Sequence, residues 1–205
     1  EVKNFKPGDH VILSFYSDGT CDNCLKGVPT QCRSYAKYNL SGVRADGDDH
    51  FTENGKHVSD MFNQSSFTTT TVVDQRNAVK VDSKLDLRKL GPLGCGYVTG
   101  SGTVFNTLKP KPGDTIAVFG TGAVGLAAMM AGRISGCIKV IAVDIVPERL
   151  ELAKELGATH AINSKEEDPV EKIKELTGGY GVDWTVDTTG LSSVIMNSVA
   201  ALAQG

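Results

Sequence analysis

Two textures of apolar and polar residues divide the chain near residue 100. Before that point, short apolar runs are separated by stretches rich in Gly, Asp, Ser and Thr. Val11 to Phe15, Ser66 to Val73 and Ala78 to Val81 read as strands of an irregular β domain. After it, compact apolar runs alternate with amphipathic segments. Strands are predicted at Thr115–Phe119, Lys139–Val143, His160–Ile162 and Asp183–Val186. Helices are predicted at about 123–135, 147–156, 168–176 and 191–203. Pro147 suits the first turn of its helix, and Gly157 suits the end of it. A βαβαβ alternation of this kind builds a parallel sheet covered on both faces. The fold class is therefore α/β over 101–205, preceded over 1–100 by part of a mostly β domain.

The apolar run from Ile116 ends in Gly120-Thr-Gly-Ala-Val-Gly125 and passes into a helix. The next buried strand ends in Asp144. A Gly-x-Gly-x-x-Gly turn between strand and helix, with an acid about 20–25 residues on, is the pattern of a dinucleotide site. Gly120 permits the tight turn, Gly122 lets a pyrophosphate approach the main chain, and Gly125 lets the helix pack close to the sheet. Amides around Thr121, Ala123 and Val124 sit at the helix start, where the dipole favours phosphate. Asp144 is placed to accept from the adenosine ribose and to repel a 2′-phosphate, which favours NAD over NADP. Arg149 is near enough to touch the same ribose.

Composition narrows the class without changing it. The 205 residues carry a net charge of −3, with 40% hydrophobic and 22% charged residues. Nothing points to nucleic acid, and no apolar run is long enough to span a membrane. Three of five cysteines cluster, which suggests metal chemistry in a reducing, cytoplasmic compartment rather than a disulfide framework. Cys21, Cys24 and Cys32 leave a tetrahedral zinc one ligand short, and Asp18 stands three residues before Cys21. The expected structural zinc site is Asp18, Cys21, Cys24 and Cys32, with His10 as a rival fourth ligand. Taken alone, Cys95 reads as a buried structural thiol and Cys137 as a core residue at a helix end.

The order of these motifs resembles the zinc-dependent medium-chain alcohol dehydrogenases, and most of all their aryl (benzyl) alcohol branch. The residues that carry the resemblance are Phe5-Lys-Pro-Gly-Asp-His-Val, the loop 18–32, Gln64-Ser-Ser-Phe, Leu90-Gly-Pro-Leu-Gly-Cys-Gly, Lys111-Pro-Gly-Asp through Gly125, and Asp187-Thr-Thr-Gly. The resemblance implies a GroES-like catalytic domain followed by a Rossmann coenzyme domain. It makes Cys95 a ligand of a catalytic zinc, Thr99 a nicotinamide contact and Val124 a residue packed on the nicotinamide ring. It implies NAD- and zinc-dependent oxidation of a primary, aromatic or benzylic alcohol to the aldehyde, in a homo-oligomer. In that family Asp18 replaces the first of four cysteines. The family's other catalytic ligands precede the position of Glu1, and His10, His50, His57 and His160 do not replace them. Two further sheet strands follow the position of Gly205. The expectation is an internal fragment of a longer enzyme, inactive alone. The alternative is a non-catalytic module that binds zinc and NAD.

Overall fold

The computed structural model describes residues 2–45, 47 and 51–204. His50 lies outside them. The chain divides into two compact units, Glu1–Gly94 and Cys95–Gly205. The break falls before the expected boundary near residue 100. The helix α4 (Gly96–Gly102) packs along the later helix α5 (Ala123–Ile134) and so joins the second unit.

In the first unit, β1 (His10–Leu13) pairs antiparallel with β4 (Ala78–Val81), with His10 opposite Val81. A two-residue hairpin joins β2 (Thr52–Glu53) to β3 (Lys56–His57). Short helices α1 (Asp22–Leu25), α2 (Tyr35–Asn39) and α3 (Leu87–Leu90) fill the connections. Polar side chains hold this unit where apolar ones are few. Asn39 is buried, accepts from Tyr16 N at 2.8 Å and donates to the carbonyls of Tyr16 and Tyr35 at 2.9 Å each.

The strand expected at Ser66 to Val73 does not form. Its residues favour extended backbone, yet a strand needs a ladder partner. Here side chains supply the hydrogen bonds instead of a ladder. The Arg44 guanidinium takes the Val72 carbonyl at 2.9 Å, and the Thr71 hydroxyl takes the Gln64 carbonyl.

The second unit is a four-stranded parallel sheet in the order β7-β6-β5-β8. The strands are β5 (Thr115–Phe119), β6 (Lys139–Asp144), β7 (His160–Asn163) and β8 (Trp184–Asp187). Each lies within a residue or so of its expected span. Alternate residues of β5 and β6 serve opposite faces. Ile116, Val118, Val140 and Ala142 pack with Ala128, Met129 and Leu150 of α5 and α6 (Pro147–Glu155). Ala117, Phe119, Ile141 and Val143 pack with Ile173 of α7 (Pro169–Leu176) and Val194 of α8 (Ser192–Ala200). Fully burying the Val, Ile, Leu, Met and Phe side chains among these stabilises by roughly 1.5–3 kcal/mol each. Cys137 is buried in the first of these cores.

Helix starts follow local chemistry. Pro147 opens α6, and Gly157 after it has φ +114°, open to glycine at little cost. Asp168 caps α7 by accepting from the amides of Val170 and Glu171 at 2.8 and 3.0 Å. α8 ends at Ala200, earlier than expected, because the chain turns back to the sheet. Val182 N donates to the Ala201 carbonyl, and Ala203 N to that of Val182, both at 2.9 Å.

Trp184, the sole tryptophan, donates from Nε1 to Asp114 Oδ2 at 2.8 Å. That bond, then the Lys111 amide, holds the Asp114 carboxyl below its ordinary value. Its contribution to stability is present above the unfolded pKa near 3.8 and is lost as pH falls through the lower folded value. Indole fluorescence should stay constant down to about pH 4 and change below it, in the acid range set by that depressed value. Asp114→Asn should remove the part of that change due to Asp114; an identical acid limb in the variant would refute the assignment.

Candidate functional site

The connection from β5 to α5 is shaped by its glycines. Gly120 has φ +92°, and a Cβ there would lie 2.4 Å from Thr188 Oγ1. A Cβ on Gly125 would lie 1.9 Å from the Gly120 carbonyl oxygen, so this glycine sets how closely helix meets turn. Gly122 differs: a Cβ there would meet nothing within 4 Å, and it faces open space. It supplies no capping side chain to α5, which leaves the first-turn amides to solvent or a ligand. A cleft of about 410 Å³ opens beside it, lined by Gly122, Val124, Asp144, Arg149, Thr189 and Asn197 among others. Its shape and amide donors fit an extended phosphate-bearing ligand.

Asp144 ends β6 at the floor of this cleft and is buried. Oδ2 accepts from the Thr121 amide and the Thr121 hydroxyl, each at 2.7 Å. Oδ1 accepts from Ile145 N at 2.7 Å and Val146 N at 3.0 Å. Burial raises the carboxyl's pKa, but these bonds outweigh it and hold it below the usual range. The cleft therefore keeps a fixed negative charge at neutral pH.

The loop 18–32 brings Asp18, Cys21, Cys24 and Cys32 together, with one ligand-type atom from each within 4.8 Å of all the others. Asp18 Oδ1 accepts from Thr20 N at 2.8 Å and Cys21 N at 2.9 Å, which turns Oδ2 toward Cys32 Sγ at 3.3 Å. The Cys21 and Thr20 amides hold the Asp18 carboxyl well below the usual range. Cys21 is lowered, chiefly by the Arg33 amide, while burial pushes Cys24 up to about 12. Arg33 donates to Asp22 at 2.8 Å and ties the end of the loop to its start. A tetrahedral zinc with bonds of about 2.3 Å spaces its ligands by roughly 3.8 Å, so the cluster needs only slight contraction to fit one. His10 sits in β1 and is no part of the group.

The remaining residues are placed as follows. Thr99 lies exposed on α4, and Val124 and Arg149 line the cleft. Cys95 stands exposed at the N-cap of α4, so the reading of it as a buried thiol is corrected. Among the described residues no group of three or more ligand-type side chains includes it. Two features carry more of the architecture than their sequence suggested. A Cβ on Gly100 would lie 2.0 Å from the Val124 carbonyl oxygen, so Gly96 and Gly100, four apart, let α4 approach α5 closely. The Thr188 hydroxyl lies 3.0 and 3.2 Å from the Phe119 and Gly120 carbonyl oxygens and stitches β8 to the glycine turn. The small-xxx-small spacing and the polar Asp187-Thr-Thr-Gly run were the available signals.

Residues 123–205 match the zinc-binding dehydrogenase family. Geraniol dehydrogenase of Castellaniella defragrans is 44% identical over 208 residues, covering all of this chain and 56% of the relative. The structure of an alcohol dehydrogenase zinc-binding domain protein from Burkholderia ambifaria superposes with a TM-score of 0.89 at 47% identity, over 98% of this chain and 55% of that one. Benzyl alcohol dehydrogenase from Acinetobacter calcoaceticus gives 0.88 at 43%, over 98% and 54%. The fold is that of the medium-chain alcohol dehydrogenases, and the chain spans a little over half the length of these relatives. Among the described residues no helix is long and apolar enough to cross a membrane.

The two glycines differ in what they tolerate. Gly125→Ala should cost on the order of 1–3 kcal/mol or more, read as a lower Tm, because backbone must move. Gly122→Ala should leave Tm nearly unchanged. Equal losses would contradict the packing described.

Proposed function

We propose that this chain holds the coenzyme cleft and a structural zinc loop of an NAD-dependent alcohol dehydrogenase that converts a primary alcohol to its aldehyde. The observation that carries the reading is the open approach at Gly122 beside an anionic, buried Asp144. Gly122 and the amides at the start of α5 would take the pyrophosphate. Asp144 would face the adenosine ribose and disfavour a 2′-phosphate, while Arg149 lines the same end of the cleft. Val124 and Thr99 would border the nicotinamide. When bound, that coenzyme supplies a hydride acceptor for the carbinol carbon.

The donor set of Asp18, Cys21, Cys24 and Cys32 fits a structural zinc in number, chemistry and spacing. Its work would be to hold a loop with few apolar residues. Cys95 is proposed as one donor to a catalytic zinc. Preference for an aromatic alcohol rests on the likeness to the benzyl alcohol enzyme. Assembly as a homo-oligomer is part of the same reading. A non-catalytic zinc- and NAD-binding module is the second reading. Turnover of benzyl alcohol with NAD by a longer parent chain separates the two, since this chain alone is expected to be inactive under either reading.

Elemental analysis of the purified chain should find about one zinc per chain. Asp18→Ala should weaken retention against a chelator. A zinc-free chain, or unchanged retention in the variant, would remove the metal from this proposal.

A further inference from the structure

The lone pairs of Asp144 are already in use. A carboxylate offers about four acceptor sites, and four donors of the chain itself fill them. Three of these donors are backbone amides, those of Thr121, Ile145 and Val146. They are fixed by the glycine turn and by the chain leaving β6. The fourth is the Thr121 hydroxyl, 2.7 Å from Oδ2, and it is the one donor that can turn away without moving backbone. Because the ionised carboxylate only accepts, the hydroxyl must donate to it. Thr121 is 1% exposed, so solvent does not compete for that hydroxyl.

We propose that the Thr121 hydroxyl occupies the acceptor position on Asp144 that an adenosine ribose hydroxyl requires, and so sets the affinity and ribose selectivity of the cleft. The inference rests on the reading of the cleft as an NAD site and goes beyond it in naming a competitor built into the chain. A ribose hydroxyl gains its bond to Oδ2 by displacing Thr121 Oγ1. The net gain is then one hydrogen bond made for one broken, and the cleft binds more weakly than the charge of Asp144 alone would allow. Thr121 acts through Asp144 and is a positioning residue.

The test uses the full chain and calorimetric titration with two probes. One is ADP-ribose. The other is its analogue whose adenosine lacks both ribose hydroxyls. Thr121→Val keeps the shape of the side chain and removes the competing donor. It should bind ADP-ribose roughly tenfold more tightly than the unaltered chain, the scale of one hydrogen bond to a charged acceptor. The analogue should bind both proteins equally. Thr121→Ser, which keeps the hydroxyl, should behave as the unaltered chain. If Thr121→Val does not fold, Thr121→Ala is judged by the same comparison.

Equal or weaker ADP-ribose binding by the variant overturns the proposal. So does an equal gain for the analogue, since a merely structural effect would not distinguish the two probes. An unaltered chain that binds neither ADP-ribose nor NAD would overturn the coenzyme reading and this inference together. Binding by the unaltered chain with no difference in the variants overturns this inference alone.

Discussion

The carboxylate of Asp144 takes hydrogen bonds from two βα connections at once. One oxygen holds the amide and hydroxyl of Thr121, in the turn that leaves β5. The other holds the amides of Ile145 and Val146, where the chain leaves β6. The two neighbouring strands are thereby locked at their C-terminal ends, where ligands of open α/β sheets bind. The shape of the glycine turn and the sign of the charge in the cleft both follow from this clamp. Thr188 adds a third tie, from β8 to the carbonyl side of the same turn. The turn is thus held from both neighbouring strands, and Gly122 is left as the open approach between them.

Much of this unit was legible in the sequence because its signals are local and agree with one another. Apolar runs of strand length, Pro147 at a first turn and Gly157 at a helix end each specify backbone without help from distant residues. The glycine turn was equally legible, since each of its three positions has its own steric reason. The partner of Asp144 was not. Its side-chain bond to Thr121 crosses from one strand end to the next, and no spacing rule announces it. Gly100 was missed for a similar reason, because its importance appears only when α5 lies against it.

The first unit was less legible. The run Ser66 to Val73 has strand-forming residues but no ladder partner, and Arg44 and Gln64 take up its polar groups. Extended propensity decides little without a neighbour. The ligand cluster was legible as a set of residue types and spacings. The orientation of Asp18 needed the fold, because two amides on one carboxylate oxygen aim the other toward the thiols. A carboxylate held anionic in this way is a suitable hard partner for three sulfur donors. Cys95 stands exposed at the N-cap position of α4, and the role expected of it came from the family resemblance, not from its neighbours in sequence.

The central claim is that the glycine turn and the end of β6 form one dinucleotide site. Its most direct measurement is a titration of the isotope-labelled chain with NAD, followed through the amide resonances. The account expects the largest and saturable shifts at Thr121, Gly122, Ala123 and Val124 and at Ile145 and Val146, with much smaller ones when NADP replaces NAD. Shifts confined to other residues, or equal responses to the two nucleotides, would contradict it.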